Sequence, residues 1–348
     1  MAQRELRGIT IGAGHFADIQ LEAWQCVNGA KIVGLVSRTE YRAKILAEKF
    51  DIGYVSTDIE EAIDKLHPDF IDICTPPKFH LHYVQIAADH GLPVLCQKPI
   101  APTQEESMKL VEVCTNCGVP LMINENWRWQ PWYQETKKLL DENALGEIIH
   151  IDACMRPGDG WVESPYSDQP YFKDMERFLL FETGIHYFET LQFLFGPIKK
   201  VYCQSRTINP VIKGEDYVVA LLEFKSGLTG IYDANRAAYT EKVRSESYGW
   251  VRIEGTDANL RIDFDGRIFV QKRIGREVEH DYLRDTGWKG GAAVKAQQHF
   301  IDCLVENKPF VTEGTTYLQS QSVVFSCYQS AQEGIPIEVP TAITIKNK

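Results

Sequence analysis

Gly12, Gly14 and Ala17 follow a short apolar stretch, Ile9 and Ile11 with Gly8 and Thr10 between, and precede an apolar run from Phe16 to Trp24. In this G-x-G-x-x-A spacing the first glycine makes a tight turn and the second lets the backbone approach a pyrophosphate. The alanine allows close packing of helix on strand. The helix start adds free N–H groups and a positive dipole end. These residues point to a dinucleotide site. Two further places carry groups able to move protons. Lys98, in Val94-Leu-Cys-Gln-Lys-Pro99, stands just past a predicted strand, at the edge where open α/β sheets bind ligands. Glu182 and His186 are four residues apart and share one helical face if the turn there is formed. Alone, Lys98 reads as a surface lysine at a turn. His186, among Ile185, Tyr187 and Phe188, reads as a packed histidine.

Other polar groupings carry less. His80 and His82 at a helix start diverge, so they chelate poorly. Cys114 and Cys117 form a lone C-x-x-C with no second pair to complete a zinc site. There is no H-E-x-x-H and no G-x-S-x-G elbow. The expectation is a site without metal.

Positioning these groups requires a sheet. Strand-like and helix-like segments alternate through about residue 124: Ala30–Val36, Glu40–Phe50, Asp58–Leu66, Phe70–Cys74, His80–His90, Pro93–Cys96, Thr103–Cys117 and Leu121–Ile123. Asp58 or Thr57, and Thr103, are the expected helix caps. Alternation of this kind specifies an α/β fold, a Rossmann-type doubly wound parallel sheet, over residues 1–124. The pattern then changes. A helix near Tyr133–Leu140, a strand Glu147–Met155 and a helix Thr183–Phe195 lead into strand-like segments from Lys200 to Lys272, separated by turns such as Lys225-Ser-Gly227 and Asp265-Gly266. Helices Val294–Val305 and Tyr317–Gln332 follow. Residues 125–348 are therefore expected to form a C-terminal α+β domain with a large, mostly antiparallel open sheet.

The chain has 348 residues, 44% hydrophobic and 24% charged, and a formal net charge of −11. That length favours two domains, and the composition is globular. The charge argues against nucleic acid and anionic membrane as partners. No apolar leader core and no run of about 18 apolar residues is present, so a cytoplasmic protein is expected. The nine cysteines lack the spacing of a disulfide framework.

Taken in order, five segments resemble one family. Gly12-Ala-Gly-His-Phe-Ala17 is similar to the opening turn of the oxidoreductases grouped with glucose–fructose oxidoreductase and inositol dehydrogenase. Thr75-Pro-Pro-Lys-Phe-His80 resembles their T-P-N-x-x-H, Cys96-Gln-Lys-Pro99 their E-K-P, Asn126-Trp-Arg128 through Pro131 their N-x-R-x-x-P, and Glu182-Thr-Gly-Ile-His186 their D-x-G-x-H. The resemblance covers nearly the whole chain. It makes Lys98 and His186 the leading catalytic residues, with Glu182 expected as a carboxylate that orients one of these two and as a substrate contact. It also implies a cofactor set of Gly12, Gly14, His15, Phe16, Thr75, Pro76, His80, Gln97, Lys98, Asn126 and Arg128. Two departures stand out: Gln97 replaces the acid of E-K-P, and Glu182 is one methylene longer than aspartate. Glu125–Trp132, Val94–Pro99 and Asp233–Arg236 resemble most closely the subgroup that includes D-apiose dehydrogenases.

The implied activity is NAD(P)-dependent hydride transfer at a sugar or polyol hydroxyl. A dinucleotide-responsive regulator or a flavoprotein are the alternatives. A regulator has no need of the Lys98–His186 pair. Ser37 and Arg38 end the second strand where an acid would hold the ribose of NAD, so NADP is expected over NAD. His186 is the expected general base with Lys98 on the same oxygen; the reverse assignment, with a neutral Lys98 as base, stays open. Around the substrate stand Trp127, Trp129, Trp132, Trp161, Tyr166, Tyr171 and Phe172, with Arg156, Asp159, Asn235 and Arg236 as candidate polar contacts. A neutral aldose oxidised at its anomeric carbon, a pentose such as D-apiose first, is the expected substrate, with a ring polyol as competitor. A large open sheet buries its outer face, so a homodimer or homotetramer is expected.

Overall fold

The computed structural model describes residues 4–340 except 168, 241, 242 and 244. The two ends of the expected domains, residues 1–3 and 341–348, lie outside the described residues. So does the start of the expected leaderless N-terminus. Contacts divide the chain into two units: 4–126 with 291–318, and 127–290 with 319–340.

The first unit begins with β1 (Leu6–Ile11), α1 (His15–Trp24), β2 (Ala30–Val36), α2 (Glu40–Lys49), β3 (Val55–Ser56) and α3 (Ile59–Leu66). It continues through β4 (Phe70–Ile73), α4 (His80–Asp89), β5 (Val94–Gln97), α5 (Gln104–Cys117) and β6 (Leu121–Asn124). The strands form a six-stranded sheet in the order β3-β2-β1-β4-β5-β6, every pair parallel. Strand order reverses between β1 and β4, which opens a crevice at their carboxyl ends. Strands β4, β5 and β6 are buried throughout, as expected for a sheet covered on both faces. The caps fall as the sequence indicates. Asp58 accepts from the N–H groups of Glu60 and Glu61, and Thr103 from that of Glu106.

The second unit carries α6 (Pro131–Asp141), β7 (Ile148–Met155), a π-helical turn (Leu179–Gly184), α7 (Ile185–Phe195), β8 (Ile198–Arg206), β9 (Tyr217–Phe224) and β10 (Thr229–Asn235). Four further strands follow, β11 (Gly249–Gly255), β12 (Ala258–Ile262), β13 (Ile268–Lys272) and β14 (Val278–His280). The chain then forms α8 (Ala292–Glu306), which belongs to the first unit, α9 (Gly314–Glu333), whose start does too, and β15 (Ile337–Glu338) of the second. The nine-stranded sheet runs β14-β13-β12-β11-β7-β10-β9-β8-β15. The simple meander suggested by the turns is interrupted: β7 inserts between β11 and β10 and pairs with β10 in parallel, the other pairs being antiparallel.

The sequence draws one boundary at 124/125, whereas the contacts return 291–318 to the first unit. The cause is packing. Phe300 lies 5.5 Å from Phe70 and 5.3 Å from Phe310 between ring centroids, in one core with Trp24, Leu35 and Leu95. Burying a side chain such as Phe300 contributes about 1.5–3 kcal/mol. One acid lies inside this unit. Asp72 on β4 accepts from Trp24 Nε1 at 2.9 Å and Thr10 Oγ1 at 3.1 Å, and burial pushes its carboxyl up to about 6. Among the described residues, no helix is long and apolar enough to cross a membrane.

Candidate active site

In the first unit the turn after β1 has the conformation its glycines allow. Gly12 has φ +119°, and a Cβ there would lie 2.2 Å from the Cys74 carbonyl oxygen. Gly14 is the N-cap of α1, has no side chain to cap it, and a Cβ there would meet nothing within 4 Å. Open space beside the first N–H groups of a helix is what a pyrophosphate requires. Ala17 is fully buried, while His15 is exposed and Phe16 half-buried on the first turn of α1.

A cavity of about 200 Å³ adjoins this turn. It is lined by Gly12, Gly14, Ser37, Arg38, Thr75 and Pro76 of the expected set, and also by Thr39, Arg42, Phe79 and Tyr83. Arg38 holds its guanidinium over the Phe79 ring at 4.2 Å, and Ser37 Oγ accepts the Thr39 N–H at 3.2 Å. Among the described residues no carboxylate lines the cavity. Glu40, the nearest acid in sequence, pairs instead with Lys44 at 2.8 Å. Arg42 was missed by the sequence argument, although its place one turn after Arg38 at the start of α2 is a readable signal.

The neighbouring strand ends leave polar atoms unanswered. Thr75 Oγ1 after β4, Gln97 Nε2 at the end of β5 and Asn126 Oδ1 after β6 are each buried with no hydrogen-bond partner in the protein. Buried polar atoms are normally satisfied, so three at successive carboxyl ends fit a polar ligand. Lys98 follows Gln97 directly and is half-buried. His80 plays a different part: its Nε2 and Nδ1 lie 2.7 Å from the Thr75 carbonyl and 2.9 Å from the Ile100 carbonyl. It thereby ties the loops after β4 and β5 together. Burial lowers its pKa, against the opposing pull of these carbonyls on its ring N–H groups.

In the second unit, Glu182 and His186 do not share a regular α-helix. Glu182 belongs to the π-helical turn Leu179–Gly184, and His186 to the first turn of α7. The start of the wider turn is held by a residue distant in sequence. The Glu215 carboxylate accepts the Leu180 N–H at 2.8 Å, the Phe178 N–H at 3.2 Å and the Tyr328 hydroxyl at 2.6 Å. Burial raises the Glu215 pKa despite these donors. The His186 imidazole is buried and stacked on Trp127, centroids 4.7 Å apart. Trp127 is itself only 2% exposed, held among His186, Tyr187 and Tyr248. Trp132 and Tyr166 are core side chains, whereas Trp161 and Tyr171 are exposed.

The polar candidates have their own partners. Arg156 pairs with Asp233 and donates to its carbonyl at 2.8 Å. Asn235 accepts the Ala237 N–H at 2.8 Å, and Trp161 Nε1 donates to the Ala237 carbonyl at 2.6 Å. Arg128 forms a buried ion pair with Glu189 and lies over the Phe193 ring. Arg236 is buried and pairs with Asp159 at 2.6 Å. No group of three metal-ligating side chains occurs among the described residues.

A glycine turn at the switch point of a doubly wound sheet, in a chain whose second unit holds a buried carboxylate and a stacked histidine, defines a dinucleotide-dependent oxidoreductase. Residues 6–125 match the oxidoreductase family with an NAD-binding Rossmann fold, and residues 133–261 match the GFO/IDH/MocA C-terminal domain. The chain belongs to the GFO/IDH/MocA oxidoreductase family. It is 30% identical to a D-apiose dehydrogenase of Rhizobium rhizogenes, over 97% of this chain and 99% of that one. It is likewise 30% identical to a D-apiose dehydrogenase of Paraburkholderia graminis, over 97% and 90%. A crystal structure of an oxidoreductase from Agrobacterium radiobacter in complex with NAD+, L-tartaric acid and magnesium superposes with a TM-score of 0.89 at 30% identity. The match covers 96% of this chain and 98% of that one.

Proposed function

We propose that this enzyme oxidises a neutral aldose at its anomeric carbon to a lactone, a pentose of the D-apiose kind before others, and that it prefers NADP. The observation that carries the catalytic part is the histidine held by stacking four residues after a buried carboxylate, in a chain that also bears the phosphate turn and Lys98. Similarity to two D-apiose dehydrogenases over nearly the full length supports the substrate.

The residues of the first unit fit the cofactor. The N–H groups at the start of α1 would hold the pyrophosphate, and Arg38 with Ser37 and Arg42 would hold a 2′-phosphate. A nicotinamide held there would supply the acceptor for the hydride of the C–H bond. His186 takes the hydroxyl proton, since imidazole titrates nearest neutral pH. Lys98 donates to the same oxygen and stabilises the charge that develops there. Glu182 accepts a hydrogen bond from the sugar. The test is a screen of aldoses and ring polyols with both cofactors, followed at ~340 nm, where the reduced nicotinamide absorbs. Turnover of inositol without any aldose activity would overturn the substrate assignment.

Assembly into a homodimer or homotetramer belongs to the same reading. Tyr202, Leu221, Ile231, Asp152 and Arg252 are successive register partners across one face of the nine-stranded sheet. Leu221, on β9 within this row, is 51% exposed. Light scattering of the native chain and of Leu221→Lys tests it, the variant being expected to dissociate.

A further inference from the structure

Arg236, the residue after β10, is a cation inside the second unit, 5% exposed. A buried guanidinium is costly unless it is paired and hydrogen-bonded, and here both terminal nitrogens are, while Nε has no hydrogen-bond partner in the protein. Its backbone is fixed first. The Arg236 N–H donates to the Asp216 carbonyl at 2.9 Å, and its carbonyl accepts the Gly160 N–H at 3.1 Å. A Cβ on residue 160 would lie 2.6 Å from that carbonyl oxygen, so glycine is required for the approach. The guanidinium then sits 5.1 Å from the Phe172 centroid and 5.0 Å from that of Phe178.

Its two terminal nitrogens take different partners. Nη1 donates to Asp159 Oδ2 at 2.6 Å. Nη2 donates to Thr183 Oγ1 at 2.8 Å and lies 3.9 Å from Glu182 Oε2. The Thr183 hydroxyl is 2.5 Å from the same Glu182 oxygen. Arginine has donors only, so the Thr183 oxygen must accept from it. The single hydroxyl proton is then directed to Glu182. That polarity requires an acceptor at Glu182 Oε2, and the nearby guanidinium favours the ionised carboxylate there. Asp159 neutralises the cation from its other side.

We propose that Arg236 is a positioning residue of this reaction: acting through Thr183, it holds Glu182 ionised and in a fixed orientation, with Asp159 as its counter-charge. The proposal rests on the reading that Glu182 touches the sugar. It adds a cause for the longer acid at this position. The extra methylene lets the carboxylate sit on a π-helical turn and still reach the hydroxyl of its neighbour.

The decisive variant is Thr183→Val, which keeps the shape and removes the relay hydroxyl. With the best sugar of the screen, kcat/KM should fall about tenfold, the scale of a hydrogen bond to a charged group, with the NADPH dissociation constant unchanged and the melting temperature lowered by the Arg236 donor left unmet. Arg236→Met should fall further and recover in part with added guanidinium ion, while Arg236→Lys should lie between. In a Glu182→Gln background, Thr183→Val should cost nothing more, because the two act on one interaction. Wild-type kinetics in Thr183→Val, or losses that simply add in the double variant, would overturn the relay even if Arg236→Met failed to fold. Full activity of Glu182→Gln alone would instead remove the role assigned to Glu182, and the relay with it.

Discussion

The indole of Trp127 and the imidazole of His186 lie face to face, centroids 4.7 Å apart and planes within 8°. The stack fixes the ring plane and presents an electron-rich face to the imidazole. That face favours the protonated ring more than the neutral one. Catalysis by a base gains from such a contact because the charge appears only as the proton arrives. We expect Trp127→Leu to lower kcat by about tenfold, near the upper range for a desolvated cation–π contact, with a smaller change in the sugar KM. An unchanged kcat would show the stack to be packing alone.

Lys98→Met and His186→Ala should each lower kcat by about 100-fold or more, the scale of general acid–base assistance, and leave cofactor affinity nearly intact. Steady-state rates with fluorescence titration of NADPH check both halves of the statement. Full activity in either variant removes that residue from the chemistry.

Cofactor choice turns on two arginines. Arg38→Ala and Arg42→Ala should raise the KM for NADP far more than that for NAD, since only the former carries the extra phosphate. Equal losses for both cofactors would mean that these side chains serve the adenine or the fold.

The two turn glycines should fail differently. Gly12→Ala places a Cβ against the Cys74 carbonyl at φ +119° and should cost about 2 kcal/mol or more of stability. Gly14→Ala meets no protein atom within 4 Å, so it should melt normally. It should still weaken NADPH binding by about tenfold or more, through lost backbone approach to the pyrophosphate. Calorimetry and titration of both variants separate the effects.

Much of this was legible in residues that act locally. The strand, glycine turn and helix from Leu6 to Trp24 need only neighbours in sequence, as do the caps at Asp58 and Thr103. What escaped depends on distant partners. A regular helix from Thr183 satisfies periodicity equally well, whereas residues 179–184 form a π-helical turn whose start is held by the carboxylate and carbonyl of Glu215, distant in sequence. Arg236 reads as a pocket contact until Asp159 and Thr183 are seen to occupy it. The place of β7 between β10 and β11 is likewise invisible to hairpin spacing.

Stability should respond to pH through Asp72. Its pKa in the folded chain is raised from 3.8 to about 6, so the folded state binds the proton more tightly. The contribution is therefore full below about 3.8 and lost as pH rises through about 6, a difference of roughly 3 kcal/mol. His80, whose pKa burial lowers, acts in the opposite sense, destabilising as pH falls below its ordinary value near 6.5. Subtracting the melting curves of Asp72→Asn from those of the native chain isolates the first effect. A difference that stays flat between pH 4 and 8 would contradict the assignment.

The return of residues 291–318 to the first unit has a consequence for synthesis. Leu21, Trp24 and Phe70 leave the ribosome early, but Phe300 and Phe310, which complete their core, emerge only after residues 127–290. At roughly 5–20 residues per second the unfinished nucleotide unit waits on the order of ten seconds with apolar surface uncovered. A nascent chain stalled before residue 291 is thus an expected chaperone client, and residues 1–126 made alone should be prone to aggregate, however complete their six strands.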